Sequence, residues 1–227
     1  MMQSLALVRL LQLASPALPI GAYSYSQGLE WAIESGTVHD EASARQWIGD
    51  LLEWNLGRFE APWLADMLGA WQVEDSEQLK TLDADFVASR ETAELRAETL
   101  QMGYSLQRLL EDLADFPEAP RIVLREIQQP SFPLAWSAAA SAWQVPVEEA
   151  LAAYLWAWAE NQVMAALKAV PLGQTAGQRI LLALGERIPA IAQRAMTLSD
   201  DEISNFSPGF AIASSRHETQ YSRLFRS

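Results

Sequence analysis

Apolar positions recur along this chain at helical spacings of three and four, punctuated by proline and glycine, with no strand-like alternation. Residues 4–14 place Leu7, Leu10, Leu11 and Ala14 on one stripe, while Leu5, Val8 and Leu13 make the other side apolar too. A short helix of that character is expected to be buried. Ser15-Pro16 and Leu18-Pro19 then bend the backbone, and Gly21 supplies freedom at the corner. A second helix is predicted from Tyr23 to Ser35, ended by Gly36. Asp40 reads as the N-cap of a third, carrying Trp47, Leu51, Trp54 and Phe59. Pro62 is expected to interrupt or kink it, with Trp63, Met67 and Trp71 continuing the pattern beyond.

The acidic stretch 73–86 is expected to turn its charge to solvent. Leu95, Thr99, Met102, Leu106, Leu109 and Leu113 step alternately by four and three, a helical stripe of coiled-coil type. The chain breaks over 113–120, and Pro130 and Pro133 mark a connection ahead of 134–143. Pro146 suits the first turn of a long helix whose positive end Glu148 and Glu149 complement. That helix is apolar all round as far as Leu167, which places it centrally; Glu160, Asn161 and Gln162 interrupt it well short of a bilayer span. Pro171 and Gly173 end it, and a further helix runs from Ile180 to Ala195, bent at Pro189. The expected fold is all-α: a single-domain bundle of about ten helices broken by Pro/Gly corners over 1–204, with a flexible tail over 205–227.

The tail differs in kind. Residues 205–227 hold three arginines against one glutamate, a net +2 on a chain whose remainder carries −15. It is expected to be loosely held. Tyr221, Leu224 and Phe225 fall at i, i+3 and i+4, an anchor flanked by Arg216, Arg223 and Arg226 that suits a partner's groove. Docking on the chain's own acidic body is the alternative.

Overall, 29 acidic against 16 basic residues leave a net charge of −13, which argues against nucleic acid and anionic membrane surfaces as partners. With no cysteine there is no disulfide, thiolate zinc site or iron–sulfur cluster. The N-terminal residues lack the pattern of a secretory signal, so a cytoplasmic location is expected. Catalytic equipment is scarce. His39 and His217 are the two histidines, each read as a polar surface residue. Ser199-Asp200-Asp201-Glu202 reads as a helix N-cap, and Gly173 to Gly177 as a helix start. No catalytic residue, resident metal or cofactor is expected. Lys168, one of two lysines, closes the long apolar helix; helix-end electrostatics and an interface role are both open to it.

One stretch, LLQLASPALPIGAYSYSQGLE over 10–30, combines these corners with unusual density. Its residue types suit an ordinary buried corner or a surface matched by a neighbour, within the chain or on a second copy. It resembles the N-terminal signature of the UreF family of urease accessory proteins. Ser15, Pro16, Leu18, Pro19, Gly21, Ala22, Tyr25, Ser26, Gly28, Leu29 and Glu30 all match, and Tyr23 stands where phenylalanine is more usual. The segments RETAELRAETLQMGYSL, ENQVMAALKAVPLGQ and SSRHETQYSRLFRS are similar to the same family, in the same order.

The resemblance implies an all-helical homodimer without catalytic activity, a scaffold and checkpoint in nickel insertion into apo-urease. It would bridge the UreD (also called UreH) protein and the nickel-carrying GTPase UreG. The UreD-binding tail it implies is Arg216, Glu218, Thr219, Gln220, Tyr221, Ser222, Arg223, Leu224 and Phe225. Glu30 and Lys168 lie in the motifs implied to meet UreG near the dimer axis. Pro16, Pro19, Gly21, Tyr25, Ser26 and Gly28 form the structural hinge. A regulator of UreG hydrolysis with no part in conducting metal is a second reading, and an all-α small-molecule enzyme a third.

Overall fold

Where each apolar stripe stops, the computed structural model, which describes residues 3–227, turns a corner. Among the described residues it contains twelve α-helices and no strand. They are α1 (Ser4–Leu13), α2 (Leu29–Glu34), α3 (Glu41–Leu51), α4 (Ala61–Gln72), α5 (Ser76–Ala88), α6 (Ala93–Asp112), α7 (Glu118–Ile127), α8 (Phe132–Ala142), α9 (Val147–Ala169), α10 (Gln174–Gly185), α11 (Ile188–Ala195) and α12 (Pro208–His217). A π-helical stretch, Leu52–Glu60, joins α3 to α4, and short 3-10 turns occupy Ala22–Ser24 and Asp200–Glu202. The long apolar helix α9 is central, packing against α2, α3, α4, α10 and α11, while α8 lies between α4 and α6 on the other side of the body. Packing against several helices explains why most of α9 is apolar, although Met164 on its outer side is half exposed. Two aromatic clusters fill the interior: Phe59 stacks on Phe86 beside Trp63, and Phe132, Trp136 and Tyr154 meet at centroid distances of 5.3–5.8 Å.

Local signals account for most helix ends. Asp40 accepts from the Ser43 amide and Ser43 returns the bond, capping α3. Thr92 accepts from the Leu95 amide at the start of α6, and Ser199 and Glu202 cap one another across the 3-10 turn. Gly173 is the N-cap of α10, as its sequence predicts.

Five expectations change. Helix α1 is buried on one face, through Ala6, Leu10 and Leu13, where α8 and α9 pack against it; Leu5, Leu7, Val8 and Leu11 are exposed. The second helix begins at Leu29 rather than Tyr23, because Gln27 and Gly28 adopt φ values of 51° and 76° that unwind it. The interruption expected at Pro62 is present, with α4 starting at Ala61. The backbone widens into π turns just before it, and the Arg58 carbonyl, four residues ahead of the proline, accepts from the Ser204 amide at 3.0 Å. The 113–134 connection contains α7, since Pro117 and Pro120 precede or occupy its first turn, where no amide donor is required. The helix expected to bend at Pro189 is instead two, α10 and α11, with the proline in the first turn of the second. Finally, 205–227 is packed on the body: α12 lies along α2 and α6, and Phe225 joins the core.

Close approach fixes one more feature. Gly103 of α6 sits so near α8 that a Cβ there would lie 2.0 Å from the Pro130 carbonyl oxygen. Tight α6 to α8 packing therefore demands glycine.

Candidate functional site

The hinge and the tail, at opposite ends of the sequence, build one polar site against α6 and α9. The hinge supplies main-chain donors. Gly28 combines its positive φ with a close approach, for a Cβ there would stand 2.9 Å from the Ser214 nitrogen of α12. Ser26 and Gln27 both donate their amides to the Ser227 main-chain oxygen, at 2.6 and 3.0 Å, and the Ser26 hydroxyl adds a third bond at 2.6 Å. One residue earlier in the tail, the Arg226 amide donates to the Ser24 carbonyl at 2.7 Å. Helix α9 steadies the hinge from the other side. Trp158 Nε1 donates to Gln27 Oε1 at 2.7 Å, and Asn161 Nδ2 to the Tyr25 carbonyl at 3.1 Å.

Three carboxylates receive what the tail offers. Glu30, 7% exposed, accepts the Leu224 amide at 2.6 Å and the Phe225 amide at 3.0 Å. Glu98 accepts from Gln27 Nε2 at 2.7 Å and the Ser227 hydroxyl at 2.8 Å. Glu94 accepts from Arg223 Nη1 at 2.7 Å. His217, read from sequence as a surface residue, is wholly buried between two of them, with Nδ1 2.7 Å from Glu94 Oε2 and Nε2 3.2 Å from Glu30 Oε2. Each ring nitrogen lies within hydrogen-bond reach of a carboxylate oxygen, so the imidazole bridges the two acidic side chains. Its partners lie 123 and 187 residues away, and sequence spacing carries no sign of them. His39 does stay exposed, beside Asp40.

Beneath the site lies a buried ion pair. Arg90 Nη1 donates to Glu60 Oε1 at 2.7 Å, and the Tyr154 hydroxyl to Glu60 Oε2 at 2.8 Å. Burial, reinforced by the Glu60 charge, pushes the Tyr154 phenol well up, so it remains a donor. Burial likewise raises the Glu98 carboxyl to about 7, against the pull of its hydrogen bonds and Arg90. The Tyr25 phenol is raised by burial and then by the Glu98 charge. A cavity of about 190 Å³ opens beside this network, with Leu18, Met102, Phe132 and Trp136 among its walls and Pro16 at its margin. Among the described residues no group of three or more histidine or acidic side chains is placed to hold a metal ion, and no helix is long and apolar enough to cross a membrane.

The tail residues sort into two kinds. Glu218 accepts from the Ala93 and Glu94 amides at the α6 N-terminus, Thr219 turns back onto the Arg216 carbonyl, and Gln220 donates to Glu34. Phe225 is buried and Lys168 Nζ stands 5.1 Å over its ring. Tyr221 and Leu224 point out, at 104% and 69% exposure, and Arg216 and Ser222 are exposed too. The i, i+3, i+4 anchor therefore does not form one face: the helix has ended by Glu218, and Phe225 turns inward while the other two turn outward.

Similarity to known proteins runs through α6 in a family profile and over nearly the whole chain in individual relatives. A family profile described as UreF matches residues 38–185. The chain belongs to the UreF family. Urease accessory protein UreF of Azoarcus sp. strain BH72 is 64% identical over 225 residues, covering 98% of this chain and 96% of that protein. The Dechloromonas aromatica protein of the same name is 60% identical over 98% of both chains, and that of Methylobacillus flagellatus 53% identical over the full length of both. Glu30, Lys168 and the tail, implied by that resemblance to serve two partners, stand here within one site; Pro19 is exposed, while Tyr25, Ser26 and Gly28 are buried.

Proposed function

We propose that this protein is a urease accessory scaffold: non-enzymatic, homodimeric, and bridging UreD and the GTPase UreG on apo-urease while nickel is delivered. The observation that carries this reading is the tail. It is tied down by buried groups yet holds Tyr221 and Leu224 out to solvent, an unfavourable exposure of apolar surface unless a partner covers it. Membership of the UreF family, with relatives named urease accessory proteins over nearly their whole length, supports the partners. Nickel in this reading is cargo. Without thiols, and with no clustered donor set among the described residues, the chain suits holding proteins in register rather than holding the ion.

Size-exclusion chromatography with light scattering on the purified chain, alone and with UreD and UreG, tests it. The expected result is a dimer alone and a larger complex containing all three proteins. A chain that elutes unchanged in the presence of both would end the proposal.

A further inference from the structure

Nothing in the proposed function uses the cavity beside the Glu60–Arg90 pair. Its walls are largely apolar and aromatic, with Met102, Phe132, Trp136 and Trp158 among them, and exposed Tyr23 and Met164 mark its mouth. Its polar lining is unbalanced. Three carboxylates, Glu60, Glu98 and Glu160, share the cavity with one cation, Arg90, and that guanidinium is committed to Glu60 at 2.7 Å. Glu98, 6% exposed, is met by two neutral donors, the Gln27 amide and the Ser227 hydroxyl. Glu160 lies one turn of α9 from Met164, toward the mouth, and burial raises its carboxyl with no cation to oppose the shift. Among the described residues no basic side chain stands over Phe132, Trp136 or Trp158. We propose that this cavity binds a small organic cation, a protonated amine on a flat or short aliphatic body, with its nitrogen toward Glu98 and its carbon skeleton against the aromatic wall.

The lining selects the occupant. An anion would face three carboxylates, and a neutral molecule would leave a buried carboxylate without a countercharge, which is unfavourable. A divalent metal needs several converging oxygen or nitrogen ligands, and among the described residues no three acidic or histidine side chains are so placed. An amine meets both halves of the lining: its charge compensates Glu98, and aromatic rings attract a cation while covering its apolar body. At about 190 Å³ the cavity is below the ~300–1,000 Å³ of sites for drug-sized ligands, which limits the skeleton to a small one. Walls drawn from the hinge, α6, α8 and α9 surround it, which favours a free molecule over the lysine of a partner protein. A ligand touching all four would stabilise the folded body by mass action.

This site is independent of the partners proposed above and is tested on the full-length chain alone. Isothermal titration calorimetry with 2-phenylethylamine and butylamine, beside 2-phenylethanol as an uncharged molecule of the same shape, reads the requirement for a cation. At least one amine should bind saturably, one molecule per chain, and raise the melting temperature. 2-Phenylethylamine should bind about tenfold or more tightly than the alcohol, as a charge-assisted contact implies. Glu98→Gln, which keeps the shape and removes the charge, should weaken the amine by about tenfold or more and leave the alcohol unchanged. Glu160→Gln, toward the mouth and partly solvated, should weaken it by about threefold. Should Glu98→Gln fail to fold, the amine and alcohol on the wild-type chain and the Glu160→Gln variant still decide the matter. Absence of saturable binding by both amines would overturn the inference, as would equal affinity for amine and alcohol or an amine isotherm unchanged in Glu98→Gln. Nickel(II) binding that Glu98→Gln abolishes would reassign the cavity to a metal, and tighter binding by Nα-acetyl-lysine amide than by either amine would reassign it to a partner's side chain; each would overturn it too.

Discussion

Glu98 keeps a carboxyl group where water scarcely reaches, and its proton affinity shows it. Burial raises it from an ordinary 4.5 to about 7, so the folded chain holds this proton more tightly than the unfolded one. Stability contributed by that proton is complete below pH 4.5 and is lost as pH rises through 7. Glu98→Gln should therefore flatten the fall in stability between about pH 5 and about pH 8, by an amount on the order of a few kcal/mol. Thermal melts at several pH values check it; a slope identical to wild type would show that the carboxyl is not carrying the effect. Gly28 is the second residue whose role is single. Its φ of 76° and the 2.9 Å that would separate a Cβ from the Ser214 nitrogen both oppose any side chain. Gly28→Ala should cost about 1–3 kcal/mol, seen as a lower urea midpoint with an unchanged slope.

Among the elements, α6, like α9, serves both the core and the site. Its inner face packs on α8 through Gly103, and its first turns hold the tail through Glu94 and Glu98. A methyl group at Gly103 meets backbone rather than a yielding side chain, so Gly103→Ala should destabilise by about 3 kcal/mol or fail to fold, measured by denaturant titration. Thr92 caps the same helix and shares a 2.8 Å hydrogen bond with Ser214 of α12. Thr92→Ala should cost about 1 kcal/mol globally and, in addition, speed exchange along α12, a coupling that a cap acting on α6 alone would not show. The π stretch before Pro62 belongs to this scale too: widening the turns removes the demand for the amide that proline lacks, and the chain after α11 reaches back to the Arg58 carbonyl.

Across the whole molecule, charge is laid out by end. The body is strongly acidic and the final segment basic, and the structure puts Arg223 against Glu94, Gln220 against Glu34, and the Arg226 amide on the hinge. The pairing is partly exposed, so salt should loosen the tail before it affects the core. Hydrogen exchange at about 0.05 M and about 1 M salt would show faster exchange confined to 218–227; a uniform change over the chain would contradict this.

The all-helical character, the central place of α9, and the caps at Asp40, Gly173 and Ser199 were legible in the amino-acid order, because each rests on contacts within a few residues or on the apolar pattern itself. The resemblance at 10–30 likewise pointed to the hinge. Other features were not legible. Pro117, Pro120 and Pro189 read as breakers, yet each sits at a helix start, and only the surrounding packing distinguishes the two uses. His217 looked like a surface histidine because nothing near it in sequence is acidic except Glu218, while its real partners are Glu30 and Glu94. Helix formation is decided by neighbours along the chain; the partner of a buried charge is decided by which distant segments share the same dry volume, and that is settled when the bundle closes.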